Sequence, residues 1–234
     1  ADAILAAVEA GLKRAVIVGG GLIGVEMAEN LSSRGVRVSI IDMAPHILPG
    51  FDADFADYVE NLLADNGIPV FLGDGVTEIE GTDKVTKLRT AKRGIKTDAV
   101  IMAVGVRPNT EWLAGSGIEL AKNGAIAVDD YMRTNIEDVY AAGDCSLSYD
   151  VTIEGVRPLA IQPNAYMQGE TAGRNMAGGN ATFDKAIPMN AGGFFGLHVV
   201  SAGDLNGESD IVRQGGSYKR LVRRDGRLVG FLLV

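Results

Sequence analysis

The sequence predicts an α/β fold built on a parallel sheet, and three observations predict it. An apolar run with the look of a buried strand, Ala15–Val18, leads straight into Gly19-Gly20-Gly21-Leu22-Ile23-Gly24. A helical pattern follows, with apolar Leu22, Ile23, Met27, Ala28 and Leu31, and Gly35 ends it. A second β-rich run, Val36–Ile41, then closes on Asp42. Two strands joined through a helix are the unit from which parallel sheets are made, because parallel neighbours need a crossover rather than a tight turn.

The remaining elements follow in order. Residues 52–67 form a second amphipathic helix with the stripe Phe55, Val59, Leu62 and Leu63, stopped by Asn66-Gly67. Residues 68–72 are a third strand. A doubly wound fold would place another helix next. Instead come Val76–Glu80, Lys84–Thr90 and Gly94–Thr97, separated by Gly81-Thr82-Asp83 and Lys92-Arg93-Gly94, which read as a β-meander. Ala99–Val104 is a buried strand ending at Gly105. A boundary at Val106-Arg107-Pro108-Asn109 precedes a short helix near Thr110–Ala114, in which Trp112 and Leu113 read as core. Ile118–Asp129 is hairpin-like and turns at Asn123-Gly124. Val139–Ala142 reads as a strand ending at Gly143-Asp144-Cys145, and a helix runs from Pro163 to Met176 before Gly178-Gly179. Phe194–Ala202 and Tyr218–Val222 read as strands, and Arg227–Val234 pairs with the latter through Asp225-Gly226.

The first unit carries a specific chemistry. In G-x-G-x-x-G, Gly19 permits the tight turn, Gly21 lets backbone approach a pyrophosphate, and Gly24 lets helix and strand pack closely. The pyrophosphate would sit on free N–H groups at the helix N-terminus, where the helix dipole favours negative charge. Asp42 follows the last glycine by roughly 20 residues, the spacing at which a carboxylate accepts hydrogen bonds from the adenosine ribose. The bland alternative is a Gly-rich turn in an ordinary α/β domain. The flanking strand, helix and acid favour dinucleotide binding.

Composition narrows the rest. The 234 residues are 47% hydrophobic and 22% charged, with net charge −8, which is globular composition with no basic surface for nucleic acid or acidic membranes. No apolar stretch approaches a membrane span and no signal peptide is visible. A single cysteine excludes a disulfide framework and fits a reducing cytoplasm. Cys145 has no second thiol to resolve it and reads as a packed residue. His46 and His198 show no metal-ligand spacing and no partner acid at a fixed offset, so no metal site is expected. None of the six tyrosines has Lys four residues on, which removes the Tyr-x-x-x-Lys arrangement of short-chain dehydrogenases.

Three motifs in order resemble a known family. They are Gly19-x-Gly21-x-x-Gly24-x-Glu26-x-Ala28, then Asp98 through Gly105-Val-Arg107-Pro108-Asn109, then Arg133-Thr134-Asn135 with Val139-Tyr140-Ala141-Ala142-Gly143-Asp144. The chain thereby resembles the flavin-dependent pyridine nucleotide–disulfide oxidoreductases. Phe195-Gly196-Leu197 and the closing hairpin are similar to the branch of NADH:rubredoxin reductases, NADH oxidases and the flavin part of nitrite reductases.

The resemblance implies a Rossmann-like FAD/NAD(P)-binding fold of the α/β class with a β-meander. It divides the chain into an NAD-binding domain (1–105), a second segment of an FAD-binding domain (106–183) and the start of an α+β interface domain (184–234). It also implies an internal fragment, since one G-x-G-x-x-G is present and Glu26 marks it as the NAD copy. Gly19, Gly21, Leu22, Ile23 and Gly24 would cradle the NAD pyrophosphate, and Asp42 would hold the ribose. Glu26 and Gly105 would lie beside the nicotinamide, and Asp144 would hydrogen-bond the FAD. On the residues alone, Glu26 could be a solvated helix residue, Gly105 a turn after a strand, and Asp144 a helix N-cap. The implied function is hydride transfer from NADH, preferred over NADPH, to FAD, with electrons passing to an acceptor such as rubredoxin, oxygen or a disulfide. A homodimer through 184–234 is a possible assembly. A non-catalytic NAD-binding or sensing module is the alternative.

Overall fold

A computed structural model describes residues 2–234, which divide into two compact units: 2–105 with Gly192–His198, and Val106–Ala191 with Val199–Val234. In the first unit, a helix that sequence reading missed, α1 (Asp2–Glu9), precedes β1 (Arg14–Val18), α2 (Leu22–Ser32), β2 (Arg37–Ile41), α3 (Ala53–Asp65) and β3 (Val70–Phe71). The meander β4 (Val76–Glu80), β5 (Lys87–Thr90) and β6 (Gly94–Lys96) follows, and β7 (Ala99–Met102) returns to the main sheet. That sheet is parallel, in the order β3-β2-β1-β7. β1 lies centrally, paired with β2 on one side and β7 on the other, so its carboxyl end is where the strand order reverses. Such a crevice is where open α/β sheets bind their ligands.

The core is made by strands buried on both faces. Val16, Val18, Ile41 and Leu88 form one cluster, with Phe71, Val76, Ile95 and Val100 packed against it. Thus the meander covers one face of the sheet where a helix would otherwise lie. α2 buries Gly24, Val25, Ala28 and Leu31, a stripe rotated from the predicted one. Gly24 explains the rotation: a Cβ there would stand 2.0 Å from the Gly19 carbonyl oxygen, so this face is pressed onto the turn and Ile23 is turned outward. α3 begins where Asp52 accepts a hydrogen bond from Phe55 N–H at 3.0 Å, a cap of about 1 kcal/mol. It buries Phe55, Ala56, Val59 and Leu63.

The second unit holds the hairpin β8 (Leu147–Asp150) and β9 (Gly155–Pro158), helix α4 (Gln162–Met176), and an antiparallel sheet less its residues 192–198, which belong to the first unit. The sheet comprises β10 (Met189–Phe194), β11 (Leu197–Gly203), β12 (Glu208–Gln214), β13 (Ser217–Arg224) and β14 (Arg227–Leu233), in the order β10-β11-β14-β13-β12. Three expectations are corrected here. Val139–Ala142 is not a strand; its pairing with Met132–Thr134 is a single bridge, Arg133 to Tyr140, flanked by Thr134 N–H to the Val139 carbonyl and Ala141 N–H to the Met132 carbonyl, and goes no further. Phe194–Ala202 is not one strand but is broken by a turn at Phe195-Gly196, whose φ angles of 51° and 79° suit a tight hairpin. Trp112 is not core: in the 3-10 turn Glu111–Leu113, Leu113 points inward and Trp112 is 76% exposed. The Asp225-Gly226 hairpin is present, with φ of 52° and 74°.

Candidate dinucleotide site

The site is assembled at the carboxyl edge of the parallel sheet by three segments of the first unit: the Gly19–Gly24 turn, the Asp42–Ala44 loop after β2, and the end of β7. Gly19 has φ +107°, and a Cβ there would meet the Ala103 carbonyl oxygen at 2.3 Å. The turn therefore lies against the β7 exit, and only glycine fits. Around Gly21 there is open space, with nothing within 4 Å of a built Cβ. Gly21 caps α2 in extended geometry without a side-chain hydrogen bond. The first N–H groups of a helix have no acceptor inside it, so Leu22, Ile23 and Gly24 present donors at the positive end of the helix dipole.

Asp42 is held by backbone donors. Its Oδ2 accepts from Gly20 N–H at 2.7 Å and its Oδ1 from Ala44 N–H at 2.8 Å. These bonds fix the rotamer and leave lone pairs on both oxygens. Gly20 and Ala44 were not singled out in the sequence, because a backbone donor leaves no residue-type signature. Large apolar side chains ring the same edge in the open: Ile23 at 62%, Met43 at 78% and Val104 at 66% exposure. Gly105 follows β7 with φ +92° and open space around it. Glu26 is half-buried one turn into α2, and its Oε1 would lie 2.9 Å from a Cβ on Gly192. It is therefore not simply a solvated helix residue. Its neighbour Glu29 accepts from Phe195 N–H at 2.8 Å.

Asp144 lies in the second unit, exposed, in a turn leading into β8. No helix follows, so it is not an N-cap. The turn is held by α4: Gln168 Oε1 accepts from Gly143 N–H at 2.7 Å and from Ser146 Oγ at 3.1 Å. Asn164, one turn earlier on α4, is 1% exposed, and both its amide atoms lack a hydrogen-bond partner. The helix begins at Ile161 without a side-chain cap. Cys145 is a half-buried free thiol whose Sγ lies 3.5 Å from the Ala142 carbonyl oxygen.

His46 differs from the sequence expectation, because the fold brings it partner acids. Asp57 Oδ1 is 3.2 Å and Glu60 Oε1 is 3.6 Å from its Nδ1. Glu60 Oε1 also accepts from Ile47 N–H at 3.2 Å, so the group fastens the loop after β2 onto α3. Nearby, Asp74 is buried and paired with Arg93 at 2.8 Å, a contact that local sequence patterns gave no means of finding. A cleft of about 840 Å³ lies in the second unit among Ile153, Ala202, Asp225 and Phe231, and contains no member of the glycine turn.

A family model described as pyridine nucleotide-disulphide oxidoreductase matches residues 1–171. An NADH oxidase of Streptococcus pneumoniae serotype 4 is 41% identical over 193 residues, covering 82% of this chain and 42% of that protein. The chain thus spans less than half the length of that curated relative. A water-forming NADH oxidase from Lactobacillus brevis, solved bound to NADH, superposes with a TM-score of 0.91 at 29% identity, covering 99% of this chain and 56% of that one. An engineered form of the same oxidase, described as a water-forming NADPH oxidase and bound to NADPH, gives a TM-score of 0.90 at 28% identity, again covering 99% and 56%. Its substitutions replace a glycine by alanine, an aspartate by alanine, the following alanine by arginine, a methionine by serine and a proline by arginine. Among the described residues, no helix is long and apolar enough to cross a membrane.

Proposed function

Because the chain belongs to the pyridine nucleotide-disulphide oxidoreductase family, we propose that it carries the NADH site of a flavoprotein oxidoreductase that passes hydride from NADH to FAD and electrons onward to an acceptor. The observation that carries this reading is the Asp42 carboxylate, pinned by Gly20 and Ala44 at the edge of an open glycine turn. Residues 1–105 would bind NADH, 106–183 would be the second segment of an FAD domain, and 184–234 would begin an interface domain through which two copies could pair. The single cysteine is in keeping with a cytoplasmic setting.

The cradle fits a pyrophosphate. Gly21 leaves room for it, α2 supplies donors, and Glu26 and Gly105 would lie toward the nicotinamide. Coenzyme choice follows from charge. Asp42 would accept from the ribose hydroxyls and repel a 2′-phosphate. The engineered NADPH oxidase supports this assignment: at identical spacing its five substituted positions fall on Gly24, Asp42, Met43, Ala44 and Pro49, and the glycine, aspartate and proline are the same residue types here.

The second unit fits a flavin at its polar edge. The orphaned Asn164 amide offers one donor group and one acceptor, beside an uncapped helix N-terminus. Asp144 presents a carboxylate free of partners among the described residues. When bound, FAD supplies the two-electron chemistry; this chain's residues bind and orient. An NAD-sensing module would share the NADH site without the flavin chemistry. Anaerobic stopped-flow mixing of NADH with the intact flavoprotein tests the reading. Loss of the flavin absorbance is expected, and a flavin never bleached by NADH would contradict it.

A further inference from the structure

We propose that Asp74 and Arg93 are a positioning pair for the coenzyme-selecting carboxylate, setting NADH preference without touching the coenzyme. The proposal rests on the reading of Asp42 above. Asp42 stands at the end of β2, an edge that needs external support. The support comes from the segment leaving β3. Asp42 N–H donates to the Phe71 carbonyl at 2.9 Å, Asp74 N–H donates to the Asp42 carbonyl at 3.0 Å, and Gly73 N–H donates to the Ala44 carbonyl at 2.9 Å. Three backbone bonds thus bracket Asp42–Ala44, whose own N–H at Ala44 holds the carboxylate.

Residues 71–74 are not a regular strand beyond Phe71, so something must fix them. Arg93 does so from the β5–β6 turn. Its Nε donates to Asp74 Oδ2 at 2.8 Å, and its guanidinium lies over the Phe71 ring at 4.3 Å from the centroid. One side chain therefore grips both ends of the bracket. Lys92 adds a bond to the Gly73 carbonyl at 2.5 Å. The turn that carries them is itself locked, with Thr90 Oγ1 accepting from Lys92 N–H at 3.1 Å and Arg93 N–H at 3.0 Å.

The Asp74 side chain is fully buried, and its Oδ1 has no hydrogen-bond partner. A buried carboxylate with a single cationic partner is costly to leave unpaired. Losing Arg93 would therefore displace Asp74 toward water, and its backbone N–H would leave the Asp42 carbonyl. The meander, which has no place in the dinucleotide cradle, thereby acquires a role in it.

A double-mutant cycle on the full chain tests this, with NADH and NADPH titrated by calorimetry and folding followed by thermal melts. Arg93→Gln should weaken NADH binding about 5- to 10-fold in the native background and by less than about 2-fold in an Asp42→Ala background, because the effect passes through Asp42. Binding of NADPH should change little, so the preference narrows. Arg93→Lys keeps the charge but loses the planar stack and the Nε–H donor; it should fall between, and it carries the same cycle if Arg93→Gln does not fold. Equal weakening in both backgrounds, or none in either while the native chain binds NADH, would overturn the proposal. A native chain that binds no NADH would instead overturn the reading of Asp42 itself.

Discussion

At the scale of single residues, the proposed NADH site depends on how a carboxylate is made ready for a ribose. In water an aspartate samples rotamers, and binding must select one. Here two backbone N–H groups have already done so, which lowers the entropy cost of recognition. Charge-assisted hydrogen bonds of this kind contribute about 1.5–3 kcal/mol, so Asp42→Ala should weaken NADH binding about 10- to 100-fold. Adding Met43→Arg should then bring NADPH binding above NADH binding, as measured by parallel titration of both coenzymes. An Asp42→Ala chain that binds NADH like the native one would remove Asp42 from the site.

At the scale of elements, ion pairs fasten turns to sheets. Arg14 at the start of β1 pairs with Asp98 just before β7 at 2.6 Å. The hydrogen bond to Arg14, more than its charge, holds the Asp98 carboxyl below the usual carboxylate range, and Arg14 is raised in return. Asp204, after β11, is buried. Burial alone would raise its pKa, but the Asn206 N–H, the Arg224 guanidinium and the Asn206 amide together hold it below its ordinary value. A carboxyl depressed on folding stabilises the fold at pH above its unfolded pKa of about 3.9 and loses that contribution as pH falls through the folded value. Asp204→Asn should therefore melt below the native chain at neutral pH, with the gap closing as pH drops below about 4. A gap that stays constant across a pH series of thermal melts would contradict this.

The same scale shows what the sequence could and could not convey. Strands buried on both faces and helices with one apolar face announce themselves by composition and period. Hence β1, β2, the meander and α3 were legible, as were the tight turn at Gly19, the close packing at Gly24 and the place of Asp42 at the end of β2. What escaped depends on partners far along the chain. Arg93 reaching Asp74, Gly20 donating to Asp42, and His46 meeting Asp57 and Glu60 are set by folding, not by spacing. Val139–Ala142 failed in the other direction, since strand-like residues form a strand only where a neighbour supplies a ladder. β8 and β9 were missed because they are short and half-exposed, with no clean alternation.

At the scale of the whole molecule, the proposed function asks different things of the two units. On that proposal the first would hold every part of a dinucleotide cradle. The second would offer a flavin Asp144, Asn164 and a helix N-terminus, while large apolar side chains such as Val106, Trp112 and Tyr166 stand exposed on it. No second glycine turn of the Gly19–Gly24 kind is among the described residues. A charge-assisted hydrogen bond contributes about 2 kcal/mol, whereas micromolar affinity needs about 8 kcal/mol. Residues 1–234 purified alone should therefore be colourless yet bind NADH, and a stoichiometric flavin absorbance retained through gel filtration would contradict this.

Calorimetric titration of NADH and NADPH into the purified chain decides whether the Gly19–Asp42 unit is an NADH site. Saturable NADH binding at one site is expected, with NADPH binding at least about 10-fold weaker. Tighter binding of NADPH, or no binding of either, would contradict it.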